Sequence, residues 1–287
     1  MTELIQTALP RPAGTAMRQH PPLSPHLLKP LRALLPALWG ATLPLLLPAA
    51  LLLLWHVAAR EAWIAEQILP APGVVFDAFR DLAASGELVA HLAASLARVG
   101  QAYAIAAVAG IALGALLGVS RRAEAFIAPL FEAYAQTPVI AWVPVGLMLF
   151  GISDRLAVAL IAIAAVVPVT LNTFKGVRYI PPPFFELARV YRFTPLQTAR
   201  RVIAPAALPQ IFVGLRYGLT QAWLTLVIAE LIGAEEGLGG LIVQARNLMQ
   251  IDVVLVAILV LGIGGLALDK LFSLIEARLL RWRRQGL

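Results

Sequence analysis

Long apolar segments follow one another along this chain with only short polar connections between them. That spacing constrains the fold more than any motif does. About 20 apolar residues in a helix match the hydrocarbon thickness of a bilayer. In lipid a backbone can satisfy its polar groups only within helices or a closed barrel. Composition points the same way: 60% of the residues are hydrophobic and 14% are charged, against roughly 25% charged in a soluble domain. The expected fold is therefore an all-α integral membrane protein. About six transmembrane helices are predicted, over 34–57, 99–119, 125–150, 156–174, 211–232 and 253–268. They make one membrane domain, 32–287, behind a proline-rich tail, 1–31, that reads as flexible and cytoplasmic.

The connections carry their own signals. Residues 58–97 are amphipathic and acidic, with Glu61, Glu66, Asp77, Asp81 and Glu87 outnumbering Arg60 and Arg80. That stretch is too polar to span, and a helix is expected over 74–82 after Pro70, Pro72 and Gly73. In the second span Ala102, Ala106, Gly110, Gly114 and Gly118 recur every four residues, a strip of small side chains suited to close helix packing. The third span is interrupted by Pro129, Pro138 and Pro144, so a break is expected at Gln136, Thr137 and Pro138. Glu132 reads either as an intramembrane acid with a function or as a boundary residue that snorkels.

Between the fourth and fifth spans lies a basic stretch, Phe184 to Pro209. Pro181, Pro182 and Pro183 precede it and stop a helix arriving from Ile180. Two short helices are predicted. The first covers about 184–191, with Glu186 near its start. The second has Thr194 as N-cap, Pro195 at the first helical position and Gln197 closing a capping box.

This stretch resembles the EAA motif of ABC importer permeases, E-A-A-x3-G-x9-I-x-L-P. Glu186 takes the first position, Ala188 the third, Val202 the Ile and Pro205 the last. Leu187, Ala204 and above all Arg192, which stands for the Gly, depart from it. The flanks L-P-A-P from Leu69, T-P-V-I-A-W-V-P from Thr137, F-G-I from Phe150 and W-L-T-L-V-I-A-E-L-I-G-A-E-E-G-L-G from Trp223 are similar to the branch that imports aliphatic sulfonates, taurine and nitrate. The resemblance implies a homodimeric permease whose coupling loops, 180–209, dock on two copies of an ATPase subunit. The coupling surface would include Glu186, Leu187, Ala188, Arg189, Arg192, Thr194, Pro195, Val202 and Pro205. A periplasmic or lipoprotein solute-binding protein would deliver the solute. ATP and Mg would belong to the ATPase, and no cofactor to this chain. Arg192 either bears the strain of a left-handed position or sits in a turn of another shape.

Charge sets the expected orientation. Arg121, Arg122, Lys175, Arg178, Arg189, Arg192, Arg200, Arg201, Arg278 and Arg281 fall on one side of the six-span scheme, and Arg60, Arg80, Arg98, Arg155 and Arg246 on the other. The positive-inside bias puts the first group, and both termini, in the cytoplasm. The implied location is a bacterial inner membrane, multi-pass. Basic residues placed in this way read as topology signals rather than as a nucleic-acid surface. Arg216 then lies near the inner end of the fifth span and can snorkel, and Glu230 lies near the outer end. Residues 233–250, with G-L-G-G at 237–240, read as an external gate-like loop and short helix. Glu132, Gln136, Thr137, Pro138, Arg216, Glu230, Gly237 and Gly239 are the candidate path or gate residues.

Other function classes fit less well. Cysteine is absent, which excludes disulfides and thiol chemistry. The chain lacks a G-x-x-x-x-G-K-[ST] phosphate loop, so it is not expected to be an enzyme that hydrolyses ATP in that way. His20, His26, His56 and His91 make no metal-like spacing. A secondary transporter, working without an ATPase, is the alternative; it predicts an internal repeat and paired intramembrane charges.

Overall fold

The computed structural model describes residues 46–281. The expected tail, 1–31, and the start of the first expected span lie outside the described residues. Among the described residues every regular element is helical. Helix α1 is seen over Leu46–Arg60. Residues up to Leu54 belong to one unit and those from Trp55 to a second. In the first unit Leu46, Leu47, Leu51, Leu52, Leu53 and Leu54 are all exposed, as lipid-facing side chains would be.

The second unit continues with α2 (Pro72–Ala84), α3 (Glu87–Val119), α4 (Arg121–Ala135), a 3-10 turn (Val139–Trp142), α5 (Val143–Phe150) and α6 (Asp154–Arg178). Then come α7 (Pro182–Val190), α8 (Pro195–Thr198), α9 (Ala204–Leu231), α10 (Leu238–Asn247) and α11 (Ile251–Leu279). Among the described residues four helices are long and apolar enough to cross a membrane: Glu87–Val119, Asp154–Arg178, Pro195–Leu231 and Ile251–Leu279. The pair formed by α4 and the 139–150 segment makes a fifth if it is one span. That pair bends by 96°, at the expected break. Pro138 supplies no N–H and biases Thr137 away from helical geometry.

Helix α6 is the centre of the bundle, with α3 along one side and α9 along the other. The small-residue strip explains the first contact. Ala102, Ala106, Gly110, Gly114 and Gly118 are all buried. A methyl group on Gly114 would lie 2.5 Å from the Thr170 carbonyl oxygen, so the two backbones touch there. Helix α9 approaches through Gly214 and Gly218, whose added Cβ atoms would come within 3.1 Å of the Pro168 oxygen and 3.2 Å of the Ala165 oxygen. Helix α11 leans on α9 through Trp223, whose ring lies over Gly264 and Gly265 and whose Nε1 donates to the Leu261 carbonyl at 3.1 Å.

Three expected boundaries shift. The second span begins at Glu87 rather than at Val99: His91, Ser95 and Arg98, polar enough to suggest a loop, are buried inside the bundle. The fifth span is not separate from the second short helix. Helix α8 runs through a π-helical turn, Ala199–Ile203, straight into α9. Pro205 and Pro209 do not stop it: Pro205 follows directly on the π-helical turn, and Pro209 lies inside α9. The sixth span passes through Asp269 and Lys270 to Leu279, and Asp269 is paired with Arg216 of α9.

Candidate functional site

The sequence-predicted residues fall into three places. The first is the segment from α7 to the start of α9. Glu186 is the fifth residue of α7, and no acid lies in its first turn. The expectation that Glu186 starts this helix is therefore corrected: the helix begins two prolines earlier, because Pro182 and Pro183 fit a first turn that needs no N–H donors. The end of α7 is built as a Schellman motif. Phe193 N–H donates to the Ala188 carbonyl, and Arg192 N–H to the Arg189 carbonyl, both at 2.9 Å. The residue between, Arg192, has φ +50°. It occupies the left-handed position that Gly fills in the resembled motif, and it bears the strain.

The capping box that opens α8 is present. Thr194 Oγ1 accepts from Gln197 N–H at 3.3 Å, and Thr194 N–H donates to Gln197 Oε1 at 2.9 Å. Only Ala188 of α7 is buried. Phe184, Leu187, Val190, Tyr191 and Leu196 are exposed apolar side chains on this segment, interleaved with exposed Glu186, Arg189 and Arg192. Pro195 and Pro205 are also exposed, while Val202 is half-buried. The Arg201 guanidinium lies over the Phe193 ring, 5.4 Å from its centroid. Behind this segment Arg178 pairs with Glu124, tying the end of α6 to α4. Glu132 lies in the open groove beside that pair.

The second place is the far end of α9. Glu230 is completely buried. Ser95 Oγ donates to it at 2.8 Å, Arg98 Nη1 at 2.6 Å and Gly239 N–H at 2.8 Å. Arg98 also bonds the Glu236 carbonyl at 2.7 Å, and pairs with Asp154 at the head of α6 at 2.7 Å. His91 Nδ1 accepts from Gly237 N–H at 3.0 Å, and Ser95 Oγ from Leu238 N–H at 2.9 Å. The first N–H groups of α10 are thus capped by side chains of α3 and α9. The glycines are required by proximity. Gly237 has φ +109°, and a Cβ there would meet Glu230 Oε1 at 2.3 Å; a Cβ on Gly239 would meet the Glu230 Cβ at 2.5 Å. Sequence reasoning finds Glu230, Gly237 and Gly239 but not His91, Ser95, Arg98 or Asp154. The available signal is the spacing of His91, Ser95 and Arg98, which puts three polar groups on one face of an apolar helix.

The third place is a cleft of about 480 Å³ between the α4 break, α6 and α9. Gln136, Thr137 and Pro138 line it, as do Asn172, Lys175, Tyr217, Thr220 and Gln221, which sequence reasoning does not find. Arg216 is not on it. Its guanidinium binds Asp269 of α11 through two hydrogen bonds of 2.8 Å, on the face of α9 turned toward α11. Among the described residues no group of His, Cys, Asp and Glu could hold a metal ion.

Comparison with known proteins fits this architecture. A model of binding-protein-dependent transport system inner membrane components matches residues 106–281. The putative aliphatic sulfonates transport permease protein SsuC of Bacillus subtilis is 37% identical over 239 residues, covering 83% of this chain and 87% of that protein. The nitrate import permease protein NrtB of Leptolyngbya laminosa is 38% identical over 188 residues, 66% of this chain and 67% of the other. Among solved structures, an inward-facing MetNI methionine ABC transporter aligns with a TM-score of 0.57 at 20% identity, covering 68% of this chain and 95% of that one. That likeness speaks to the fold alone.

Proposed function

The chain belongs to the binding-protein-dependent transport system inner membrane components, and on that premise we propose that its α7–α8 segment is the surface through which a separate ATPase drives it. It is a multi-pass membrane permease subunit of an ABC importer, not an enzyme. The solute is a small anion, an organic sulfonate, taurine, nitrate or a similar species, handed over by a solute-binding protein. The working unit is a homodimer with two ATPase copies, which hold the ATP and Mg. The α7–α8 segment and both termini face the cytoplasm, and the Glu230 end of the bundle faces outward.

The observation that carries this reading is the exposed face of α7 and α8. Phe184, Leu187, Val190, Tyr191 and Leu196 are all exposed in a segment flanked by Arg189, Arg192, Arg200 and Arg201. So many charges keep it out of hydrocarbon. Exposed apolar side chains grouped on a segment outside the membrane mark a protein contact. Whatever docks there pushes on α8, which is the first turn of the 37-residue helix Pro195–Leu231. At about 1.5 Å per residue that element is about 55 Å long, and it reaches the Glu230 network. Displacement at the ATPase would thus arrive at the outer lock formed by Glu230, Gly237 and Gly239, which we read as a gate. Glu132, in the groove beside Arg178, would move with the coupling end, and the Arg216–Asp269 pair would keep α11 in step with α9.

The test is Glu186→Lys. The variant should reach the membrane at normal levels, lose its ATPase subunit on purification and fail in uptake. Normal uptake would show that this segment is not the coupling element. Uptake by the chain alone in liposomes would favour the secondary-transporter alternative instead.

A further inference from the structure

The cleft between the α4 break, α6 and α9 has a chemistry that its surroundings do not. Elsewhere the long helices expose apolar side chains: Ile105 and Val108 on α3, Leu224 and Ile228 on α9, Ile263 and Leu266 on α11. Those faces suit lipid. The cleft sets Gln136, Thr137, Asn172, Lys175, Tyr217 and Gln221 into a lining that is otherwise largely apolar, with Val139, Ile163, Val167 and Leu171. Asn172 and Lys175 are three residues apart on α6, and Tyr217 and Gln221 four apart on α9, so each pair shares one face of its helix. Amides at membrane depth are stable only against protein or water, not against hydrocarbon, and Lys175, in the last turn of α6, stands at the cytoplasmic end of the cleft.

The sign of the cleft is as informative as its polarity. Among the described residues no carboxylate lines it, and Lys175 is its single charged group. Lys175 is exposed and makes no ion pair among the described residues. By contrast the Glu230 network and the Arg216–Asp269 pair close their charges internally. Asn172 is already engaged within the protein: Gln210 Nε2 donates to its Oδ1 at 2.9 Å, and its Nδ2 donates to the Pro168 carbonyl at 2.8 Å. A volume of about 480 Å³ lies within the range of small-molecule sites. A single fixed cation with neutral donors around it attracts an anion without trapping it, as a conducting path requires.

We infer that this cleft is the solute-facing wall of the permease, and that Lys175 with the amide and hydroxyl groups of Gln136, Tyr217 and Gln221 selects a small oxyanion. This deepens the importer reading and rests on it for the solute, but its test does not involve the ATPase contact. The same chemistry suits the phosphate of an anionic lipid headgroup, so the test has an arm for each source.

The chain has no cysteine, so single cysteines report cleanly. Gln221→Cys and Tyr217→Cys, with Val108→Cys as a lipid-facing control, are placed in the full complex in phosphatidylcholine vesicles. Each is labelled with an anionic sulfonatoethyl and a cationic trimethylammonioethyl methanethiosulfonate, and rates are normalised to a free thiol. Both cleft cysteines should label and Val108→Cys should not. The anionic reagent should be favoured by about three- to ten-fold, the size expected for one unit charge acting across a partly aqueous path. Lys175→Gln should abolish that preference and Lys175→Glu should reverse it. Methanesulfonate at millimolar concentration should slow labelling of Thr137→Cys, which lines the cleft and keeps Tyr217 and Gln221 intact, and only when Lys175 is present. Protection by phosphatidylglycerol in the vesicle, with none from methanesulfonate, would assign the site to lipid and overturn the solute proposal. So would cleft cysteines as inert as Val108→Cys, or a sign preference indifferent to Lys175. Loss of the ATPase on Glu186→Lys is read separately, so either proposal can fail alone.

Discussion

Glu230→Gln is the most informative single change to the fold, because it keeps the shape of the side chain and alters only its chemistry. Glu230 Oε1 accepts from Ser95 and from Arg98 Nη1, and Oε2 from Ser95 and from Gly239 N–H. An amide must put its NH2 group in one of those two positions. In the first it faces the Arg98 guanidinium, in the second the Gly239 N–H, and neither can turn round to accept. Ser95 cannot absorb the change freely, since its hydroxyl oxygen already caps Leu238 N–H. Removing one partner of a buried charge pair costs about 3–5 kcal/mol. Arg98 keeps Asp154 at 2.7 Å, so the lower end applies, about 3 kcal/mol. For a chain of this size that corresponds to a fall in melting temperature of about 6–12 °C.

The assay is intrinsic tryptophan fluorescence during heating of the purified protein, which has 6 Trp. Asp154→Asn is the matched control. That carboxylate also binds Arg98, but its side chain is 73% exposed, and exposed pairs contribute about 0–1 kcal/mol. It should melt within about 4 °C of the wild type. If Glu230→Gln melts no lower than Asp154→Asn, the buried carboxylate is not what fastens residues 236–239 to α3, and the reading of this end as a lock fails.

Two further changes test the packing and the turn. Gly114→Ala drives a methyl group against the Thr170 carbonyl and Thr173 Cβ, at 2.5 and 2.7 Å; it should destabilise by about 1–3 kcal/mol, whereas Gly262→Ala, with nothing within 4 Å, should be neutral or gain up to about 1 kcal/mol in the same melts. Arg192→Gly relieves a left-handed residue at φ +50° worth about 1–2 kcal/mol, less about 0.5–1 kcal/mol for the added freedom of Gly. A net gain of about 0.5–1 kcal/mol is expected, and a loss would mean that the Arg192 side chain makes a contact worth more than its backbone strain.

What the sequence reveals here depends on how far apart the interacting residues lie. The Thr194–Gln197 capping box and the break at Pro138 are local, governed by two to four residues, and both are legible. The small-residue strip of α3 is nearly as clear, because a period of four needs no knowledge of the partner helix. The Glu230 network is different in kind. Its bonds join residues 132 and 135 positions apart, so the polarity of His91, Ser95 and Arg98 reads as solvent exposure until the acid that neutralises it is brought alongside. The same error of sign shortens the second and sixth spans: a charge in a membrane helix ends the span only if it is unpaired, and Arg98 and Asp269 are paired.

The junction after the α7–α8 segment shows the same limit from the other side. Pro195, Pro205 and Pro209 lie within 15 residues and argue locally for separate helices. Yet Pro195 lies in the first turn of α8 and Pro205 in the first turn of α9, and between them Ala199–Ile203 forms a π-helical turn. A π turn widens the helix and leaves room where the ring of a following proline would otherwise meet a carbonyl. The prolines therefore do not divide the element: Pro195 and Pro205 flank its π-helical turn, and Pro209 lies inside α9. On the proposed coupling role, a push on α8 would cross the π turn and meet a helix that packs along α6 and is bonded at Glu230. That is the arrangement needed if displacement at one face is to reach the other end of the bundle rather than be absorbed in a loop.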